Sequence, residues 1–247
     1  MLYKDQAIVL RTMRLGEADR IVTLVGRAGG KIRAVAKGIR KTKSRFGGRL
    51  EPFGHVAVVL WRGRGSLDTI TQVDLLDPHR ALREDLDRFT LGEVMLEAVD
   101  RVVQERERPQ GIFTLLLDGL HGLSRAPSGH SSPAGLVLAA FLLRLSGLAG
   151  FAPSLEECAE CGAAAPWFSP GQGGAVCPRC RSGDAEEVGT GVFELMSDLV
   201  REGAWMRTDR EVAATALRLS RFYTEYHLER RLKAASAADA LLPAHQA

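Results

Sequence analysis

The sequence predicts an α+β protein: an N-terminal five-stranded β-barrel of the OB type, followed by a helical domain into which a four-cysteine zinc ribbon is inserted. Three observations carry that expectation. The first 80 residues hold short runs rich in Val, Ile, Leu and Thr between turn residues, and from residue 77 the apolar positions change to helical spacing. All four cysteines fall into two CxxC pairs.

The predicted strands are residues 6–13, 20–26, 31–37, 55–61 and 66–73. Arg27-Ala-Gly-Gly30 and Arg62-Gly-Arg-Gly-Ser66 place glycines where a hairpin must reverse. One long connection follows the third strand, which suits a small closed barrel. At Asp77-Pro78 the pattern predicts a helix N-terminus, with Asp77 as cap and Pro78 at the first helical position. That helix is expected to run through Leu86, Phe89, Met95, Val99, Val102 and Val103 to residue 107. Further helices are expected over 109–124, 134–148, 191–202 and 209–234, with a loop at 124–132. The expected domains are 1–78 (barrel), 79–157 with 188–247 (helical) and 158–187 (ribbon).

Cys158-Ala-Glu-Cys161 and Cys177-Pro-Arg-Cys180 are separated by 15 residues and use every cysteine in the chain. A two-residue gap lets both thiolates of a pair turn toward one ion, and two pairs complete a closed tetrahedral shell. One structural Zn2+ is therefore expected at Cys158, Cys161, Cys177 and Cys180. The intervening segment is rich in Gly, Ala and Pro and too short to fold on a core of its own, so the metal supplies ordering energy. Paired disulfides are disfavoured by the reducing compartment inferred below.

Charge is distributed unevenly. Residues 1–80 carry 16 Lys and Arg against 7 Asp and Glu, a net of +9, which leaves −6 for the rest of a chain whose formal net charge is +3. Between Asp19 and Glu51 there is no acidic residue and there are ten basic ones. Such a field suits a phosphate backbone. The candidate nucleic-acid contacts are Lys37, Arg40, Lys41, Lys43, Arg45 and Arg49 in the long connection, with Arg20 and Arg33 on the flanking strands. Phe46, between Arg45 and two glycines, is the expected base-stacking ring, worth about 1–3 kcal/mol per stacked base. Phe53 and Trp61 stay open between core and stacking.

Other classes find less support. The N-terminal residues lack the apolar stretch and cleavage site of a signal peptide. The longest apolar stretch, 135–150, is interrupted by Arg144 and falls short of the roughly 20 residues a membrane helix needs. A cytosolic protein is expected. Gly29-Gly30-Lys31 is no phosphate-binding loop, because Val25 stands where its first glycine belongs and Ile32 where Ser or Thr would hold magnesium. The six histidines, His55, His79, His121, His130, His227 and His245, are scattered and are read as surface or core residues rather than metal ligands. Adjacent carboxylates such as Glu84/Asp85 do not make a two-metal nuclease site by themselves. No enzyme is expected.

The segment Lys37-Gly-Ile-Arg-Lys-Thr-Lys-Ser-Arg-Phe-Gly-Gly-Arg-Leu-Glu-Pro-Phe53, preceded by Ala7-Ile-Val-Leu-Arg11 and Gly16-Glu-Ala-Asp-Arg20, resembles bacterial RecO recombination mediators. The likeness extends over the whole chain. It implies a DNA repair protein that binds single- and double-stranded DNA, anneals complementary strands and, with RecR, loads RecA onto strands coated by single-stranded DNA-binding protein (SSB). Carried over by position, residues 37–49 would hold DNA and the four cysteines zinc, in a nucleoid-associated cytoplasmic protein. Arg218, Arg221, Arg230, Arg231 and Lys233 would line a groove for the acidic SSB tail, or form a solvated helix face. Two alternatives remain at this point: an RNA-binding or translation-associated barrel–ribbon protein, and a metal-dependent enzyme acting on nucleic acid.

Overall fold

A computed structural model describes residues 1–42, 44, 46–63, 65–105, 107, 111–127, 133–201 and 208–235. The chain divides into two compact units, one of residues Met1–Glu84 with Leu96–Ser124, the other of Asp85–Met95 with the chain from Arg125 onward.

The first unit contains a closed five-stranded barrel of β1 (Leu2–Leu15), β2 (Asp19–Gly26), β3 (Gly30–Ala36), β4 (His55–Trp61) and β5 (Asp68–Asp77), in the order β1-β2-β3-β5-β4. β1 is long enough to serve two neighbours. Its first part pairs with β4, Leu2 opposite Trp61 through Ile8 opposite His55, and its second with β2, Ala7 opposite Gly26 through Leu15 opposite Asp19. The register slips between Val9 and Arg11, an irregularity that bends the strand and lets the sheet curl shut. A short parallel pairing, Ala34 with Asp68 and Val35 with Thr69, completes the ring. Strict alternation on β3 and β4 puts Ile32, Ala34, Ala36, Val56, Val58 and Leu60 inside.

The β2–β3 turn is held by Asp5, whose carboxylate accepts from the backbone N–H groups of Ala28 and Gly29 at 3.2 and 2.9 Å. Gly30 has φ 64°, and a Cβ there would lie 1.9 Å from the Glu107 carbonyl oxygen, so only glycine fits. The 37–54 connection turns its apolar side chains inward: Ile39, Phe46 and Leu50 join the barrel core, and Phe53 is fully buried. Burial of a ring such as Phe46 stabilises the closed loop by roughly 1.5–3 kcal/mol.

The helix expected to start at Asp77-Pro78 begins later and is broken. Asp77 ends β5, and its Oδ1 accepts from the His79 N–H at 2.8 Å, closing a turn rather than a cap. His79 takes a left-handed conformation (φ 46°), α1 spans only Arg80–Arg83, and α2 starts afresh at Leu86 and runs to Val102. A side-chain turn at Asp77 satisfies the same backbone N–H that a helix cap would, and periodicity does not distinguish the two. α3, Ile112–Arg125, sets Phe113, Leu116, Leu120 and Leu123 on one buried face.

In the second unit α4 (Pro133–Leu148), α5 (Thr190–Arg201) and α6 (Arg210–His227) pack on one another. α4 is apolar nearly all round and buries ten residues, the pattern of a central helix. Its Ser146 hydroxyl lies 3.2 Å from that of Thr224 on α6, and each also donates to a carbonyl of its own helix, so no hydroxyl is stranded in the core. Asp209 caps α6 through the Glu211 N–H at 2.8 Å, and the helix ends at His227, short of the expected residue 234. The cysteine segment forms a three-stranded antiparallel sheet of β6 (Trp167–Ser169), β7 (Gly174–Val176) and β8 (Glu186–Glu187), in the order β7-β6-β8.

Candidate nucleic-acid interface and cysteine centre

The basic connection divides its residues by chemistry. Lys37, Arg40, Lys41 and Arg49 are exposed, while the apolar residues between them face the barrel. Arg40 is positioned from both ends, its backbone N–H donating to the Ala18 carbonyl at 3.0 Å and its guanidinium to the Glu17 carbonyl at 2.8 Å. Neither contact neutralises its charge. Lys37 and Lys41 make no ion pair among the described residues. Lys43 and Arg45, expected contacts of the same segment, lie outside the described residues, as does Arg64.

The flanking cations are engaged differently. Arg20 pairs with Glu51 at 3.0 Å and Arg33 faces Glu105 at 3.6 Å, so each already has a carboxylate partner. Arg11 and Lys31 lie 2.8 and 3.3 Å from the two oxygens of Asp100. Asp100 and Glu105 stand far along the chain from the cations they meet, and sequence order gave no sign of the pairing.

Phe46 requires a correction. The expected stacking ring is only 1% exposed and belongs to the barrel core, so it offers no face to a base. The reason is turn geometry: Ser44 Oγ accepts from the Phe46 N–H at 3.2 Å, and the residue that follows a tight polar turn points inward here. Phe53 is likewise core. Trp61, at the end of β4, is 51% exposed and is the described barrel aromatic whose face a base could reach. Beside it Arg62 lies over the Tyr3 ring, 4.9 Å from its centre.

The two CxxC pairs come together. All four sulfurs lie within 4.8 Å of one another, and Cys161 and Cys177 approach to 3.7 Å without a disulfide. A tetrahedron of sulfurs about 2.3 Å from a central ion has edges of about 3.8 Å, so the cluster has the dimensions of a four-thiolate metal shell. Each pair is a tight turn, Gly162 N–H donating to the Cys158 carbonyl at 2.9 Å and Cys180 N–H to that of Cys177 at 3.1 Å. Burial opposes ionisation of Cys158, yet the backbone N–H groups of Cys177, Glu160 and Cys161 outweigh it and bring that thiol down to about 6. Cys180, hydrogen-bonded to the sulfurs of Cys177 and Cys161, is pushed up to about 12. Such a set of thiols resists complete ionisation until a cation replaces the protons. The small core around them includes Val176 and Trp167, and Arg181 stacks on the Trp167 face at 3.9 Å. On α6, Arg218 pairs with Glu186 at 2.9 Å.

Two of the histidines read from sequence as surface or core residues meet a carboxylate in space. Asp77, His79 and His121 bring ligand atoms within 4.8 Å of one another. Histidines 42 residues apart share no periodicity, and only the packing of α3 in this unit joins them.

Comparison with known proteins agrees with this architecture. Residues 1–79 match the family model described as "Recombination protein O N terminal", and residues 83–235 the model "Recombination protein O C terminal". A protein of Nocardioides sp. named "DNA repair protein RecO" is 48% identical over 94% of this chain and 97% of its own length. Proteins with the same name from Frankia casuarinae and Thermobifida fusca are 43% and 45% identical, covering 94% and 92% of this chain and 96% and 94% of theirs.

Proposed function

This chain belongs to the RecO family of DNA repair proteins, and from that premise we propose that it is a non-enzymatic mediator that binds single- and double-stranded DNA through the 37–49 connection and anneals complementary strands. The observation that carries the reading is the division of labour in that connection. Ile39, Phe46 and Leu50 anchor it in the barrel while Lys37, Arg40, Lys41 and Arg49 remain exposed and positive. Lys43 and Arg45 extend the same charge run, and Arg20 and Arg33 flank it.

Annealing follows from electrostatics. Cations that neutralise two phosphate backbones together reduce their mutual repulsion, and contacts to phosphates alone leave the bases free to search for register. In the same reading the protein acts in the cytoplasm at the nucleoid, partners RecR, and helps place RecA on single strands coated by SSB. The four cysteines hold one structural Zn2+, which the sulfur spacing supports. Bound there, zinc would supply cross-linking energy and no reaction chemistry, because Cys158, Cys161, Cys177 and Cys180 leave no position for water.

The test is annealing of two complementary oligonucleotides, one coated with SSB, without ATP and across a salt series. With about six phosphate contacts, log affinity should fall against log salt with a slope of roughly −4 to −5. The Arg40→Ala/Lys41→Ala/Lys43→Ala/Arg45→Ala variant should keep its fold, flatten that slope by about 3 and lose annealing. Retained annealing would sink the proposal. Tight binding by the unaltered protein with no annealing would instead favour an RNA-binding role.

A further inference from the structure

We infer that Asp77, His79 and His121 form a second metal site, in the barrel-containing unit, which takes a divalent transition-metal ion of the zinc class. Three elements of that unit supply it: the end of β5, the turn leading to α1, and α3. Asp77 Oδ2 lies 3.2 Å from His121 Nε2 and 3.7 Å from His79 Nε2. Nitrogen and oxygen ligands about 2.0–2.1 Å from a tetrahedral zinc ion are separated by about 3.3–3.4 Å, a value that these two edges bracket. Two imidazoles and one carboxylate are also the donor set that borderline divalent ions prefer.

The ligand atoms are held in place rather than merely near. Asp77 Oδ1 accepts from the His79 N–H at 2.8 Å, which fixes the carboxylate and leaves Oδ2 for the two imidazoles. That hydrogen bond closes the turn in which His79 adopts its left-handed backbone.

An independent observation points to a ligand. The His79 side chain is 1% exposed and its 3.7 Å approach to Asp77 is too long for a hydrogen bond; with the Phe53 carbonyl as the backbone acceptor beside its ring, at least one buried ring nitrogen is left without a partner. Buried polar nitrogens are nearly always satisfied. A cation between Oδ2 and the two Nε2 atoms would satisfy His79 and bind β5 to α3 within the unit. His55, opposite Asp77 in the β4–β5 register, packs its ring on Phe113 and is not among the clustered ligand atoms, so the fourth position falls to water.

The full chain, freed of metal and redialysed against excess Zn2+, is the material for the test, with bound zinc counted per chain by mass spectrometry. Asp77→Asn keeps an oxygen for the His79 N–H but removes the charge, and His121→Ala removes a half-exposed ring at little structural risk. Each variant should bind one zinc fewer than the unaltered chain, whatever the cysteine ribbon holds. An unchanged count in both variants would overturn the site. Should either variant misfold, nitrogen NMR of the unaltered chain decides. Titrated Zn2+ should shift the Nε2 signals of His79 and His121 and leave His227 in place, and unmoved His79 and His121 signals would equally overturn it.

Discussion

Two irregular segments hold the candidate DNA contacts and the cysteine cluster, and they are ordered by different means. The 37–54 connection uses the barrel's own core, inserting Ile39, Phe46, Leu50 and Phe53 between strands while its cations stay outside. The cysteine segment inserts one fully buried ring, Phe168, against Phe193 and Tyr223 of the helices, and the rest of its cluster is built around Cys158, Val176 and Cys177. A segment that borrows an existing core needs no ligand to hold its shape. A segment with a single such anchor gains from cross-links, and four sulfurs spaced for one ion would provide them once a cation is bound.

The largest effect that would break this contrast comes from metal removal. Chelation, or Cys177→Ser, should make residues 158–187 sensitive to protease while the barrel keeps its resistance, because zinc contributes on the order of 10 kcal/mol to sites of this type. Mapping the cleavage fragments by mass spectrometry gives the answer, and a ribbon that stays resistant without metal would erase the distinction. Next in size is Phe46→Ala. It should destabilise the barrel unit by about 3–5 kcal/mol in denaturant unfolding, whereas Lys41→Ala nearby should change stability by less than about 0.5 kcal/mol and weaken DNA binding instead. Were Phe46→Ala to spare stability and reduce DNA affinity, the ring would be a stacking residue after all.

A smaller effect is read by pH in the helical unit. His227 is packed against Tyr223 and stacked on Phe151 at 4.9 Å, and burial lowers its pKa from the ordinary value near 6.5. The unfolded chain therefore takes up this proton first as pH falls. The associated stability is fully present above about pH 6.5 and is lost as pH drops through the lower folded-state value. Urea midpoints of the helical unit should decline over that window and decline less in His227→Phe; equal declines would assign the effect elsewhere. Smallest of all, Arg20→Ala removes a half-exposed pair with Glu51 and should cost no more than about 1 kcal/mol in the same unfolding measurement, even though Arg20 flanks the basic connection.

Sequence reasoning reached the features that repeat and missed those that do not. The strands of the barrel were legible because runs rich in Val, Ile, Leu and Thr lie between turn residues, and α4 because a strongly apolar stretch, broken only at Arg144 and Ser146, follows a proline start. The cysteine centre was legible from spacing alone. Phe46 was misread because a single ring among cations has no period, and its inward direction is set by the Ser44 turn. The Asp77 turn competes with helix capping for one backbone N–H, so pattern alone chose wrongly. The meeting of Asp77 and His121 depends on α3 packing in the barrel unit, which no local window contains.

The double duty of β1 sets an order of events during synthesis. Its second half can zip onto β2 almost as soon as both emerge, but Leu2–Ile8 must wait for His55–Trp61, some fifty residues later. At translation speeds of about 5–20 residues per second that is a delay of roughly 3–10 s with an unpaired strand edge in the open. Lys4 and Asp5 stand in the middle of that edge, and charges at such a place discourage a neighbouring nascent chain from pairing there first.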